Sequence, residues 1–152
     1  MKIRLLLATI TCALVTATAV QAQPAPAQKR QFETPLGDQM AKMSDALKAL
    51  KGQVSDASKN ADSLKLIATI RDAANAGMKL DPAKKADVPA ADQAKFIEGF
   101  HDGLKNLIAQ VGKVEAALKA KDNAGAAKLI DDVDAASKAG HKEYKQKKQK
   151  KA

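Results

Sequence analysis

Tryptophan is absent from the 152-residue sequence, and one tyrosine and three phenylalanines make up its 3% of aromatic residues. β-Branched and aromatic runs of the kind that build sheets are also lacking, whereas alanine, leucine and lysine are abundant. The single cysteine excludes a disulfide framework, a cysteine-based zinc site and a Cys-x-x-Cys-His attachment of c-type haem. These absences, together with a length typical of one domain, favour a single all-α domain.

The amino-terminal segment has the pattern of an export signal. Lys2 and Arg4 precede an apolar stretch from Leu5 to Val20, and Val20-Gln21-Ala22 offers small residues to a signal peptidase. We therefore predict that residues 1–22 are a signal peptide. A retained membrane anchor is the alternative, but four threonines dilute the stretch before it reaches a convincing 20-residue span. We expect a mature protein without cysteine, located in a bacterial periplasm and not stably inserted in a membrane.

Positive charge is concentrated at the carboxyl terminus. The formal charge of the full chain is +9, and removal of the signal leaves 24 basic against 17 acidic residues, or +7. Residues 142–152 carry +5 of this charge, so the rest of the mature chain is nearly balanced. We interpret residues 147–152 as a solvated basic tail, which could also steer the protein onto an acidic partner. Export and the shortage of arginine and aromatic residues argue against nucleic-acid binding.

Four amphipathic helices are predicted over residues 35–146, after a flexible leader (residues 23–34) rich in proline, alanine and glutamine. Thr34 and Pro35 supply the cap and the first turn of helix one, which runs to about Val54. Its apolar residues are alternately four and three positions apart and form one seam: Leu36, Met40, Met43, Leu47, Leu50 and Val54.

The other three helices follow from similar signals. Helix two is predicted from about Ala61 to Lys79 and stops at Asp81-Pro82, before a basic loop at residues 84–88. Helix three begins near Pro89, and Asp122-Asn123 caps helix four. The predicted inward residues are Leu64, Ile67, Ile70, Ala74 and Met78, then Phe96, Phe100, Leu104, Leu107, Val111, Val114 and Leu118, then Ile130, Val133, Ser137 and His141 or Tyr144. Short connections favour an antiparallel up-down-up-down four-helix bundle.

This topology gathers nearly every aromatic residue of the mature chain at one end of the bundle. Six candidate site residues meet there: Met40, Met78, Phe96, Phe100, His141 and Tyr144. The opposite end consists of leucine, isoleucine, valine and alanine. Such an asymmetry suits a flat, apolar ligand that contains iron. The imidazole of His141 and the thioether of Met40 would fill both axial positions of a haem iron, an arrangement that favours electron transfer.

Three parts of the sequence resemble the soluble cytochrome b562 family. They are Leu36–Met40 with Ser44–Lys48, Phe96–Phe100, and His141–Tyr144, within a likeness that covers about Leu36 to Lys145. The resemblance implies one noncovalent haem b per chain, with Met40 and His141 as axial ligands and Phe96 and Phe100 lining the pocket. Gly140 and Ser137 stand where the family pattern has an aromatic residue and an arginine, which implies a more exposed haem edge.

Two functions remain open at this stage. The first is a periplasmic electron-transfer protein with haem b, in which Met78 and Tyr144 line the pocket and the redox partner is unknown. The second is a haem-free periplasmic four-helix adaptor or stress-binding module. Met43, one turn further in, is the alternative ligand if the register shifts, and His101 is expected to point outward.

Catalysis has little support in the sequence. With two histidines and no mature cysteine the residues give little basis for a nucleophilic triad, and no Glu-x-x-His pair suggests a di-iron site. We therefore expect a protein that is not an enzyme, and a monomer.

Overall fold

A computed structural model describes residues 34–146, which contain four α-helices. These helices run Pro35–Gln53 (α1), Asn60–Gly77 (α2), Gln93–Lys119 (α3) and Asn123–Tyr144 (α4). Each helix packs against the next one in the chain, and α4 returns to lie beside α1. The predicted all-α, up-down-up-down bundle is confirmed. The signal peptide, the basic tail and nearly all of the leader lie outside the described residues and stay predictions.

Two helix starts form through the side chains predicted for them. Thr34 has an extended backbone, and its Oγ1 accepts a hydrogen bond of 3.0 Å from the amide of Gly37, while Pro35 occupies the first turn. Asp122 caps α4 in the same way, because its Oδ1 accepts a 2.8 Å hydrogen bond from the amide of Gly125. Each cap satisfies a backbone donor that has no partner within its own helix.

The helix boundaries differ from the prediction mainly around the α2–α3 connection. Helix α2 ends two residues earlier than predicted, and α3 begins at Gln93 because a 3-10 turn, Ala90–Asp92, precedes it. The predicted basic loop is mostly a second 3-10 helix, Ala83–Asp87. Prolines on either side of this segment prevent a continuous α-helix, and short 3-10 turns are the usual form of such connectors.

The seams of the four helices meet in one apolar core. Most of the large residues predicted to face inward are buried, while Met40, Leu64, Met78 and Phe96 are half-buried. Ser63 was not predicted to face inward but is fully buried, and its hydroxyl accepts a 3.1 Å hydrogen bond from Nε2 of Gln53. That bond removes the cost of burying an unpaired hydroxyl.

Two ends of the bundle can be distinguished. The closed end comprises the end of α1, the start of α2, the end of α3 and the start of α4. There Nδ2 of Asn123 donates to the carbonyl of Val54 at 2.7 Å and to Oδ1 of Asn60 at 2.7 Å, which ties the two connections together. The site end comprises the other four helix termini, where the predicted site residues lie. No helix within residues 34–146 is both long and apolar enough to cross a bilayer.

Candidate functional site

Met40 lies on α1 at the site end, half-buried, with its side chain directed toward α2. A Cβ atom built on Gly77 would lie 3.2 Å from Cε of Met40 and 3.5 Å from Cδ1 of both Leu36 and Leu104. The missing side chain of Gly77 therefore lets the methionine methyl group lie close to the α2 backbone. Met40 thus has an apolar environment formed by three helices.

His141 lies on α4, half-buried, in a groove between α4 and α1. The groove has a volume of about 510 Å³, within the range of small-molecule sites, and its lining includes Ser44 and Leu47 of α1 and Ser137 of α4. Burial, and secondarily the positive charge of Lys145, hold the pKa of His141 below its usual value of 6.5. The imidazole is therefore neutral at pH 7, the form in which a histidine nitrogen binds a metal.

The groove exists because α1 and α4 pack together less extensively than the other neighbouring helix pairs. Part of the gap is bridged by ion pairs, because Nζ of Lys51 on α1 lies 2.8 Å from Asp131 and 3.2 Å from Asp134 on α4. Within α4, Lys138 also lies 3.0 Å from Asp134. Hydrogen bonds from Lys138 and then Lys51 hold the pKa of Asp134 below its usual value. The described polar links between α1 and α4 thus lie on the side of the groove away from His141.

Three aromatic side chains form one cluster. The ring centroid of Tyr144 lies 5.2 Å from that of Phe96 and 5.4 Å from that of Phe100, in tilted and edge-on arrangements that are favourable for aromatic pairs. Tyr144 packs closely over Gly99. A Cβ atom built on this glycine would lie only 2.8 Å from the tyrosine oxygen, which is too close for an ordinary contact. Burial raises the pKa of Tyr144, with smaller contributions from Glu143 and Asp102. The phenol is therefore neutral at pH 7.

The structure brings the six predicted site residues to one end but not into one cluster. Phe96, Phe100 and Tyr144 contact one another, Met40 meets Gly77, and His141 faces α1 across the groove. Met78 is the residue that follows the last turn of α2, half-buried against the core. Its role in lining the pocket stays a prediction.

Two further residues named in the sequence analysis lie near the site. His101, which was expected to point outward, is half-buried, and its ring centroid lies 5.9 Å from that of Phe100. Met43 is buried in the core, one turn from Met40 as predicted.

Sequence reasoning missed Gly99 and Lys84. The spacing of Gly99 and Gly103, one turn apart on α3, is a signal that another element approaches closely, and both glycines face Tyr144. Lys84 donates a hydrogen bond from Nζ to the carbonyl of Glu143, near the end of α4. No sequence pattern indicates that contact, since 59 residues separate the partners.

The residues at the site end fit a haem in three respects. A neutral imidazole and a thioether are a donor pair known for haem iron. Several apolar side chains there, among them Met40, Met78 and Phe96, remain half-uncovered and would be covered by a flat apolar ligand. The groove reaches His141 from the surface. Within the described part of the chain, no three His, Cys, Asp or Glu side chains lie together as ligands for a metal ion.

Comparison with known proteins gives one match. The sequence model of the family described as Cytochrome b562 matches residues 35–145, which include all four helices. No curated protein and no solved structure matches the chain significantly. The matched segment contains every one of the six candidate site residues.

Proposed function

Because the chain belongs to the cytochrome b562 family, which comprises helical proteins of the haem-binding, electron-transfer type, we propose that it carries electrons in the periplasm with one noncovalent haem b. Met40 and His141 are the proposed axial ligands. The observation that carries this proposal is the half-buried, neutral His141 of α4, which borders an open groove and lies at the same end of the bundle as Met40.

His141 is suited to bind iron without first losing a proton. Its pKa lies below 6.5, so the imidazole nitrogen carries a free lone pair at neutral pH. Met40 is suited to the opposite position because its thioether is uncharged and its environment beside Gly77 and Leu104 is apolar. When bound, haem supplies reversible one-electron exchange at its iron, and a histidine–methionine ligand pair raises the reduction potential.

The aromatic cluster and Met78 are proposed to exclude water from the site. Phe100 is buried, and Phe96 and Tyr144 pack on it from α3 and α4. A water-poor environment disfavours a change of charge and so contributes to setting the potential. These side chains also supply the apolar surface that a noncovalently bound porphyrin requires.

We propose further that the protein is a monomeric carrier and not an enzyme. With an imidazole and a thioether as the two axial ligands, no coordination position remains for a substrate. The excess of lysine favours an acidic redox partner. Electron transfer that slows as salt concentration rises would support such a partner, and a rate independent of salt would argue against it.

Haem titration of the purified protein tests the ligand assignment. We expect an intense Soret band with the spectrum of six-coordinate, low-spin iron. Met40→Leu keeps an apolar side chain but removes the sulfur, and His141→Ala removes the imidazole, so each should abolish the six-coordinate spectrum.

A matched control is His101→Ala, since His101 is the other histidine and lies at the same end of the bundle. It should retain the wild-type spectrum. Unchanged spectra in both ligand variants would overturn the assignment of Met40 and His141. A colourless protein that gains no thermal stability from haem would favour the haem-free adaptor instead.

A further inference from the structure

The carboxyl-terminal end of α4 is stabilised differently from the ends of the other three helices. The last carbonyls of α1, α2 and α3 accept hydrogen bonds from the backbone that follows, as when Ala120 donates to Ala116. After α4 the chain becomes extended at Lys145, and one such bond, from Lys145 to His141, is made. With a single backbone bond there, the final carbonyls of α4 also accept a side chain from another element, as the C-cap carbonyl of α1, Val54, does from Asn123.

That side chain is Lys84, from the 3-10 helix between α2 and α3. Its Nζ donates to the carbonyl of Glu143 and lies 6.0 Å from the centroid of the Phe96 ring. A positive charge at this point is favourable, because the carboxyl terminus of a helix carries partial negative charge. Gln146 adds a second link, a 3.1 Å hydrogen bond from its Nε2 to Asp87. The α2–α3 connection is thus attached to α4 just beyond His141.

Hydrogen bonds and burial within the α2–α3 connection hold the backbone of Lys84 in place. Pro82 is buried, and the amide of Lys85 donates to the carbonyl of Pro82 at 2.9 Å. Gln93 ties the other side, donating from Nε2 to the carbonyl of Val88 at 3.0 Å. These bonds lie within the connection and at the start of α3, whereas the contact of Lys84 reaches a different helix.

We propose that Lys84 is a positioning residue for the haem ligand His141. The carbonyl that it binds belongs to Glu143, two residues after the histidine. Fraying of this last turn would break the bond from Lys145 to the carbonyl of His141, and the imidazole would lose its fixed direction. Lys84 holds the turn closed and also stands over Phe96, which contacts Tyr144. This inference rests on the proposed function, since it assigns His141 as a ligand.

Amide hydrogen exchange of the haem-free protein provides the first test. Lys84→Met keeps the aliphatic stem but removes the charge and the donors. We expect the amides of residues 142–145 to exchange roughly five- to tenfold faster, with no change at residues 126–133. Lys84→Arg should restore slow exchange. Lys85→Met is the matched control, because Lys85 pairs with Asp81 inside the connection.

Haem dissociation provides the second test. If the turn directs the imidazole, Lys84→Met should speed haem release by a similar factor and weaken the six-coordinate spectrum, whereas Lys84→Arg and Lys85→Met should behave as the wild type. Unchanged exchange in Lys84→Met would overturn the proposal. Faster exchange with unchanged haem release would also overturn it, since the turn would then not position the ligand.

The two tests separate this inference from the proposed function. A wild-type protein that fails to bind haem would contradict the proposed function. His141 would then not be a haem ligand, and Lys84 could not position it as one, even if amide hydrogen exchange showed that Lys84 holds the last turn of α4 closed. A wild type that binds haem, together with a Lys84→Met protein of unchanged exchange, would leave the proposed function standing and reject the role of Lys84.

Discussion

The closed end and the site end are built from the same four helices, yet their side chains are covered to different degrees. At the closed end Leu50 and Val114 have 0% of their surface exposed, and Leu118 has 2%. At the site end Leu36 retains 8%, and Met40 and Phe96 are only half-buried. A polar contact ties the connections at the closed end, whereas a groove separates α1 from α4 near His141.

In this small core the closed end mainly stabilises the fold, and the site end provides the surface for function. Full burial of Leu50, Val114 and Leu118 at the closed end contributes apolar stabilisation. Incomplete burial at the site end leaves surface that a ligand would cover, and any ligand bound there adds its binding free energy to stability. Four pairs of substitutions test this division, in order of decreasing expected effect.

The largest difference should appear between two leucines of α1. Leu50→Ala, at the closed end, should lower the free energy of unfolding by about 3 kcal/mol, because fully packed neighbours cannot fill the cavity. Leu36→Ala should cost about half as much, since the flexible side chain of Met40 lies beside it and can move into the space. Urea denaturation of the haem-free protein measures both. Equal losses would break the comparison between the ends.

The polar contact at the closed end should have the next largest effect. Asn123→Ala leaves the carbonyl of Val54 and the amide group of Asn60 without a partner and should cost about 2 kcal/mol. Chemical denaturation gives the value. The control is Asn106→Ala, an exposed asparagine on α3 that accepts one long bond of 3.5 Å and should cost almost nothing. Similar values for the two variants would show that the contact does not hold the closed end.

Two glycines of α3 should respond differently to substitution by alanine. Gly112→Ala meets no atom within 4 Å and should stabilise the helix by about 0.5–1 kcal/mol. Gly99→Ala should lose that gain, because its methyl group would displace the hydroxyl of Tyr144. Thermal unfolding, together with the ring chemical shifts of Tyr144, distinguishes the two. Stabilisation by both substitutions, with unchanged shifts, would mean that Tyr144 does not need the glycine.

The smallest effect is expected from the ion pairs across the groove. The pKa of Asp134 is lowered, chiefly by Lys138 and then by Lys51. A lowered carboxyl pKa contributes stability above the unfolded value near pH 4, and that stability is lost as the pH falls through the folded value. Lys51→Gln should therefore slightly lower the unfolding temperature at pH 7 and lessen the further fall between pH 4 and pH 2.

Lys65→Gln is the control for that prediction. Lys65 pairs with Asp62 on its own helix, so its replacement breaks no link between helices. An effect of Lys65→Gln as large as that of Lys51→Gln would show that the bridge from α1 to α4 has no special part in stability. High salt should remove the difference between the variants, because both pairs are exposed.

Much of the fold could be predicted because local signals and apolar spacing agree. Thr34, Pro35 and Asp122 identify helix starts by their chemistry, and leucines and valines four and three residues apart mark the buried face. The burial of Ser63 could not be predicted, because a polar residue is expected to be exposed unless a hydrogen-bond partner is known, and its partner Gln53 is seen only in the structure. The 3-10 helices Ala83–Asp87 and Ala90–Asp92 could not be predicted in this way, because such short turns have no apolar periodicity.

The site was predictable in its location but not in its contacts. Topology alone brings Met40, His141 and the aromatic residues to the same end. How closely α1 approaches α4, and hence whether a groove exists beside His141, depends on packing along whole helices. The bond from Lys84 to the end of α4 depends on the course of a connection that has no regular pattern.

The seat of Tyr144 over Gly99 has a practical consequence. Tyr144 is the sole tyrosine of a chain without tryptophan, so practically all of the ultraviolet fluorescence above 300 nm originates from one ring at the site end. A light-absorbing guest beside that ring would dim its emission by energy transfer. The fluorescence of the unlabelled protein thus reports on ligand binding at the site end, whereas the closed end contributes almost no emission.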